Sequence, residues 1–134
     1  MQLITLLALL ILGLQAGYSQ TVDLPAKPVP VAVLCNGDDG LTARLCEQVK
    51  KAFGKSPDFT PEVAHRPHSL IVRIPTNVDW KEDGKRTKAI YSVELAIKDG
   101  RNLRTIKGSC WEANLGVCAA KILTDTRSTL GFSP

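Results

Sequence analysis

Apolar and polar residues alternate most cleanly between Lys88 and Lys98, where Ala89, Tyr91, Val93, Leu95 and Ile97 take every second place. A period of two predicts a strand with one buried face. Upstream, Leu70, Val72 and Ile74 alternate with Ile71 and Arg73, and Asp83-Gly84 between the runs carries a hairpin-turn signal. A two-residue turn there sets Leu70 against Ile97, Val72 against Leu95, Ile74 against Val93 and Val78 against Ala89. The same register puts Arg73 opposite Glu94 and Asp79 opposite Lys88 on the other face, favourable pairs that play no part in choosing it. A second turn, Asp99-Gly100-Arg101-Asn102, returns the chain into a strand over Leu103–Trp111. With Lys98 opposite Leu103, Lys107 meets Glu94, Ile106 meets Leu95 and Cys110 meets Tyr91. The expected product is a three-stranded antiparallel meander with one apolar face in need of cover. Pro75 has to sit at an edge or a bulge of its first strand, because it cannot donate to a ladder.

Two helical stripes supply the cover. Leu41, Leu45, Val49, Ala52 and Phe53 share one face, with Asp38 or Asp39 as N-cap and Gly54 as stop. Leu115, Cys118, Ala119, Ile122 and Leu123 form the second stripe, with Gly131 as stop. A short apolar strand precedes each helix, Val31–Leu34 the first and Thr105–Trp111 the second, and Phe59–Val63 reads as one more strand. The expected fold class is α+β: a mostly antiparallel sheet in the order β-α-β-β-β-β-α, with two helices packed on one face.

The amino-terminal pattern differs in kind. An uncharged apolar run, Leu3–Leu12, gives way to small residues ending at Ser19. It is shorter than the about 20 apolar residues of a spanning helix, so 1–19 reads as a signal peptide, with retention as an anchor the alternative because no Lys or Arg precedes it. Segment 20–30, with Pro25, Pro28 and Pro30, is an extended approach to a single domain over 31–134. Lys and Arg exceed Asp and Glu by 17 to 13, and the two signs are interspersed. That net +4 indicates solubility and no nucleic-acid footprint, which requires clustering. The expected location is periplasmic or secreted.

All four cysteines lie beyond the signal, in the compartment where thiols oxidise. Cys35 ends a strand and Cys46 lies on the next helix; Cys110 and Cys118 repeat that arrangement. Local pairs are expected, with Cys35–Cys110 the alternative if those two strands are neighbours. The spacing matches neither a zinc knuckle nor a CxxC redox pair.

Candidate chemistry is sparse. Glu62, His65 and His68 share a helical spacing that suits a metal, but Pro61 and Pro67 break the helix that spacing needs, so no metal and no cofactor are expected. Asp38-Asp39 reads as a cap rather than a carboxylate dyad, and Ser109-Cys110 has no histidine near it in sequence. The chain is therefore not expected to be an enzyme. Trp80, Lys81, Lys85, Arg86 and Lys88 gather at the hairpin tip, and Trp111 points to the face opposite the core. Exposed aromatics beside cations suit a partner protein, a glycan or an anionic headgroup.

Val31-Ala32-Val33-Leu34 followed by Asp39-Gly40-Leu41-Thr42 at a helix start, then a meander and a terminal helix, resembles a group of Gram-negative envelope domains. These are the amino-terminal domain of the Tol-Pal translocation protein and the outer-membrane penicillin-binding-protein activators. The resemblance implies a non-catalytic module that binds other envelope proteins. The expected function is thus a small exported, disulfide-stabilised binding or accessory domain of the bacterial periplasm, with an envelope or secreted protein as partner. Membrane contact is expected only through a retained signal segment, and the oligomeric state is left open. The alternatives are a metal-dependent or hydrolytic enzyme using the His65 and His68 region, or a secreted inhibitor or effector presenting the 80–88 tip.

Overall fold

The computed structural model describes residues 27–62 and 68–133. The signal segment 1–19, most of the 20–30 approach and His65 lie outside the described residues. Among the described residues six strands and two helices follow one another: β1 (Val29–Cys35), α1 (Gly40–Lys55), β2 (Phe59–Pro61), β3 (Leu70–Ile74), β4 (Asp79–Asp83), β5 (Arg86–Ile97), β6 (Asn102–Trp111) and α2 (Leu115–Thr129). A short 3-10 turn, Glu112–Asn114, joins β6 to α2. The α+β class and the placing of both helices on one face of the sheet match the sequence.

The sheet is mixed. β1 runs parallel to both its neighbours, β2 and β3, whereas β3, β4 and β6 are antiparallel to β5. β5 is the spine: β3 and β4 share one of its edges, one after the other, and β6 takes the whole of the other. Along β3 the expected register holds, with Leu70 opposite Ile97, Val72 opposite Leu95 and Arg73 opposite Glu94. Beyond Pro75 it changes. Asp79 faces Ile90 and Lys81 faces Lys88, so β4 has slipped by two residues from the expected Asp79–Lys88 and Val78–Ala89 pairs. The loop supplies the cause. Pro75 ends β3, and Asn77 turns out to meet the loop after β1, its Oδ1 accepting from the Asp38 N–H at 2.8 Å and the Asp39 N–H at 3.3 Å. Its Nδ2 donates to the Asp38 carboxylate at 3.0 Å. The excursion consumes the two extra residues. It also moves the turn to Gly84-Lys85, where Gly84 takes φ +63° and only glycine does so without strain.

β6 is likewise two residues from its expected register. Ile106 faces Val93, Lys107 faces Ser92 and Cys110 faces Ala89; at the start of the strand Ala96 faces Asn102, and the irregularity at Leu95/Ala96 leaves Leu103 outside the pairing. Both slips are even-numbered, so the side chains of β4 and of Arg104–Trp111 keep their expected faces.

The core lies between sheet and helices. Leu45, Val49 and Phe53 of α1 and Ala119 and Ile122 of α2 meet Leu70, Val72, Ile74, Tyr91, Val93, Leu95 and Ile106, all buried. Each fully buried aliphatic or aromatic side chain contributes about 1.5–3 kcal/mol. α1 begins as expected at Asp39, whose Oδ1 accepts from the Thr42 N–H at 2.7 Å; Gly54 does not stop it, and the Ser56 N–H closes the last turn on the Phe53 carbonyl. Thr42 is fully buried, and its hydroxyl accepts from the Val78 N–H at 2.8 Å, which ties the start of α1 to the start of β4. Gly37 permits that junction: a Cβ there would stand 2.6 Å from Thr42 Cγ2 and 3.1 Å from Asn77 Cα. The hydroxyl end of the Tyr91 side chain lies over Gly108 of β6, the residue directly opposite it. Burial pushes the Tyr91 phenol above its ordinary pKa of 10.0, and among the described residues its hydroxyl has no hydrogen-bond partner.

Both local disulfides are formed. Cys35–Cys46 spans β1 and α1 with Cα atoms 6.3 Å apart, and Cys110–Cys118 spans β6 and α2 at 5.6 Å. β1 and β6 are not neighbours, so the alternative Cys35–Cys110 pairing has no geometric basis. No helix among the described residues is long and apolar enough to cross a membrane.

Candidate functional site: the Trp111 corner

β6 ends at Trp111, and the chain turns through Glu112–Asn114 into α2. Strand alternation sets Trp111 on the open, helix-free face, directly opposite Lys88 on β5, which in turn opposes Lys81 on β4. A row of Lys81, Lys88 and Trp111 therefore crosses three strands. Arg86 stands two residues before Lys88 on the same face, and its guanidinium carbon lies 3.6 Å above the centre of the Trp111 ring; the Lys88 ammonium is 5.6 Å from the same point. A guanidinium stacked on an indole at this distance is a cation–π contact of about 0.5–1 kcal/mol at an exposed site. It favours the stacked orientation of the ring by about two- to fivefold.

The turn after Trp111 is anchored from the helix layer. Arg44 of α1 pairs with Glu112, and that guanidinium, with help from the Thr87 hydroxyl, holds the Glu112 carboxyl below its ordinary range against the opposing effect of burial. Three shallow grooves meet at this corner. One of about 280 Å³ runs between Arg44, Lys85, Arg86 and the edge of Trp111. A second of about 560 Å³ lies between Arg44, Gln48, Asn114 and Gly116. A third of about 320 Å³ lies between Lys88, Cys110, Trp111 and Val117. Val117, 53% exposed, is an apolar residue off the buried stripe of α2. The corner thus combines a stacked aromatic, an exposed aliphatic and the cations Arg44, Lys85, Arg86 and Lys88.

Of the sequence candidates, the fold brings Lys81, Lys85, Arg86, Lys88 and Trp111 together and separates Trp80 from them. Trp80 opposes buried Ala89 and so faces the helix side of the sheet, beyond the reach of the helices, at 61% exposure. Arg44, Glu112 and Val117 are additions the sequence did not single out. Val117 carried a signal, an apolar residue outside its helical stripe; Arg44 carried none, because its partner is 68 residues away.

The other candidates lie elsewhere. Glu62 accepts from the Ser69 hydroxyl at 3.2 Å. His68 sits at φ +67° in the turn before β3, exposed, and His65 is outside the described residues. Among the described residues no three His, Cys, Asp or Glu side chains stand together as a metal site. Asp38 and Asp39 are engaged with Asn77 and Thr42, as loop and cap.

No protein family model matches the chain, and no curated protein matches it. Among solved structures it is similar to a minor lipoprotein from Acinetobacter baumannii, with 12% sequence identity and a TM-score of 0.47 over 76% of this chain and 93% of that one. That likeness does not extend to the Tol-Pal type of domain which the Val31–Leu34 and Asp39–Thr42 motif resembles.

Proposed function

We propose that this chain is an exported, disulfide-stapled accessory domain of the bacterial periplasm that works by binding another protein, without catalysis, through the Trp111 corner. The observation that carries the reading is Arg86 stacked on Trp111 between two grooves that the indole lines. Tryptophan and arginine are the residues most often found as energetic anchors of interfaces, and an anchor works best when its side chain is already held in place. With Arg44 neutralised by Glu112, the rim of Lys81, Lys85 and Lys88 calls for a partner surface of net negative charge. Two disulfides at strand-to-helix joints suit a small domain in an oxidising compartment.

The test is photo-crosslinking in the native cell envelope from a probe at position 113, beside Trp111, in the wild type and in Trp111→Ala. The expected result is one dominant crosslinked protein whose yield falls at least about tenfold in the variant, the loss of one such anchor. Circular dichroism and Tm should stay close to wild type. An unchanged crosslinking pattern in Trp111→Ala refutes the corner as the contact surface. A hydrolytic or metal-dependent activity of the pure protein that disappears in His65→Ala/His68→Ala replaces the binding reading with the enzymatic one.

A further inference from the structure

The sheet has unequal edges. β2 is three residues long and ends in Pro61, and β4 is five residues carrying Asp79, Glu82 and Asp83. Shortness, proline and charge are the usual means of keeping a strand edge from pairing with another chain. β6 has neither of the first two: it is ten residues long, contains no proline, and its one irregularity lies near its start, leaving Arg104–Trp111 in regular register with β5. Among the described residues no strand pairs with its outer side. Alternate residues there direct backbone N–H and C=O groups outward, a template for one more strand.

Two observations say what the edge would take. Residues 102–111 carry Arg104 and Lys107 and no acid, with Arg101 just before them and Lys88 on the adjoining strand. At the far end the groove between Trp111 and Val117 runs alongside Ser109 and Cys110, so α2 forms a wall beside the last part of the edge and leaves a seat with an apolar side, Trp111 and Val117, and a polar one, Lys88 and Asn114. A second copy of this chain added antiparallel along Arg104–Lys107 would set these cations against their own counterparts, a like-charge pairing that disfavours it.

We propose that the outer edge of β6 receives an extended, acidic segment of a partner protein by strand addition, with an apolar side chain of that segment seated between Trp111 and Val117. Main-chain hydrogen bonds supply the affinity and the alternate side chains the selectivity. The inference goes beyond the corner reading. It shares Trp111 with that reading, but it places the partner's backbone along β6.

The test titrates the isotopically labelled protein at low salt with an acetylated peptide of about ten residues, a length that covers one strand edge, alternating glutamate with threonine and valine. Its twin carries N-methyl groups on alternate amides, with the charges retained. The expected result is saturable binding of one peptide per chain, slowed exchange of alternate amides within 104–111, and at least about tenfold weaker binding of the N-methyl twin, since the added strand loses its ladder bonds. Arg101→Glu with Lys107→Glu, which leaves the Arg104–Thr129 hydrogen bond in place, should weaken binding by at least about tenfold as the charge match is reversed, with Tm close to wild type. Equal binding of the N-methyl twin overturns the proposal, because charge alone then accounts for it. Outward β6 amides already protected in the free protein also overturn it, since the edge is then occupied by residues 1–26 or by a second copy. Failure of the corner reading is distinct: it shows as unchanged crosslinking in Trp111→Ala, whatever the peptide does.

Discussion

Gly108→Ala is the smallest change that probes the packing of this sheet, because it adds one methyl group against the hydroxyl end of Tyr91. A Cβ built on Gly108 stands 2.6 Å from Tyr91 Cζ and 3.2 Å from Cε1. Carbon atoms in good contact are about 3.5–4.0 Å apart, so the ring has to move by roughly 1 Å. It has little room to do so: Tyr91 is 2% exposed and belongs to the same buried cluster as Cys118, Ala119 and Ile122 of α2. Overpacking of this kind costs about 1–3 kcal/mol. For a domain of this size each kcal/mol lowers Tm by about 4–8 °C, so a fall of at least about 4 °C is expected, with a matching drop in the urea midpoint. The backbone of Gly108 is not in the left-handed region, so a side chain there carries no intrinsic strain. In a Tyr91→Leu background, where the ring is gone, alanine should then be neutral or stabilising by about 0.5–1 kcal/mol, the usual gain over glycine within a strand. The double-mutant cycle should therefore show a coupling of at least about 1 kcal/mol. Additive effects of the two substitutions would refute this contact, as would a Gly108→Ala protein as stable as wild type.

Three further outcomes follow from the same contacts. Tyr91→Phe removes a buried hydroxyl without a partner and should leave stability unchanged or raise it by about 1 kcal/mol; a loss larger than about 0.5 kcal/mol in urea unfolding would mean the hydroxyl is bonded. Replacing Cys110 and Cys118 by alanine, or Cys35 and Cys46, should cost about 2–3 kcal/mol per bridge, measured as Tm against the oxidised wild type; no change in either variant would contradict the bridges as stabilising elements. The Thr42 side chain and backbone N–H hold the Asp39 carboxyl below its ordinary pKa of 3.8, so its contribution is complete above that value and is lost as pH falls through the lowered one. Asp39→Asn still caps α1 but cannot titrate, and its unfolding free energy should fall less steeply with acid than that of the wild type; identical acid slopes would remove Asp39 from the account.

The helical stripes, the β5 alternation and both cysteine pairs were legible because each is written in residues close in sequence. The faces of the sheet were legible for a different reason. Two registers were each off by two residues, yet Trp111 still fell on the open face and Cys110 on the covered one, because a pleated strand repeats every second residue. The break between β3 and β4 was only half visible. Pro75 announced an interruption, but its size is set by Asn77 reaching a loop 39 residues away, and nothing near Asn77 encodes that. The parallel placing of β1 beside β3 is equally remote, since a run such as Val31–Leu34 reads the same in either direction. For the candidate site, the cations and Trp111 could be named in advance, and the separation of Trp80 was already implied by strand alternation, since the expected and the observed registers both set it on the face of Ala89.

The two disulfides close across separations of 11 and 8 residues, each between a strand and the helix that follows it. Ring closure is least costly in entropy for the partners nearest along the chain, so the native pairs are the ones a polypeptide emerging into an oxidising compartment brings together first. Cys46 arrives soon after Cys35, and both come well before Cys110. Oxidation in order of arrival therefore yields the correct connectivity without waiting for the sheet to assemble. A chain wired in this way can be crosslinked early and folded afterwards, with little call for an isomerase to correct it.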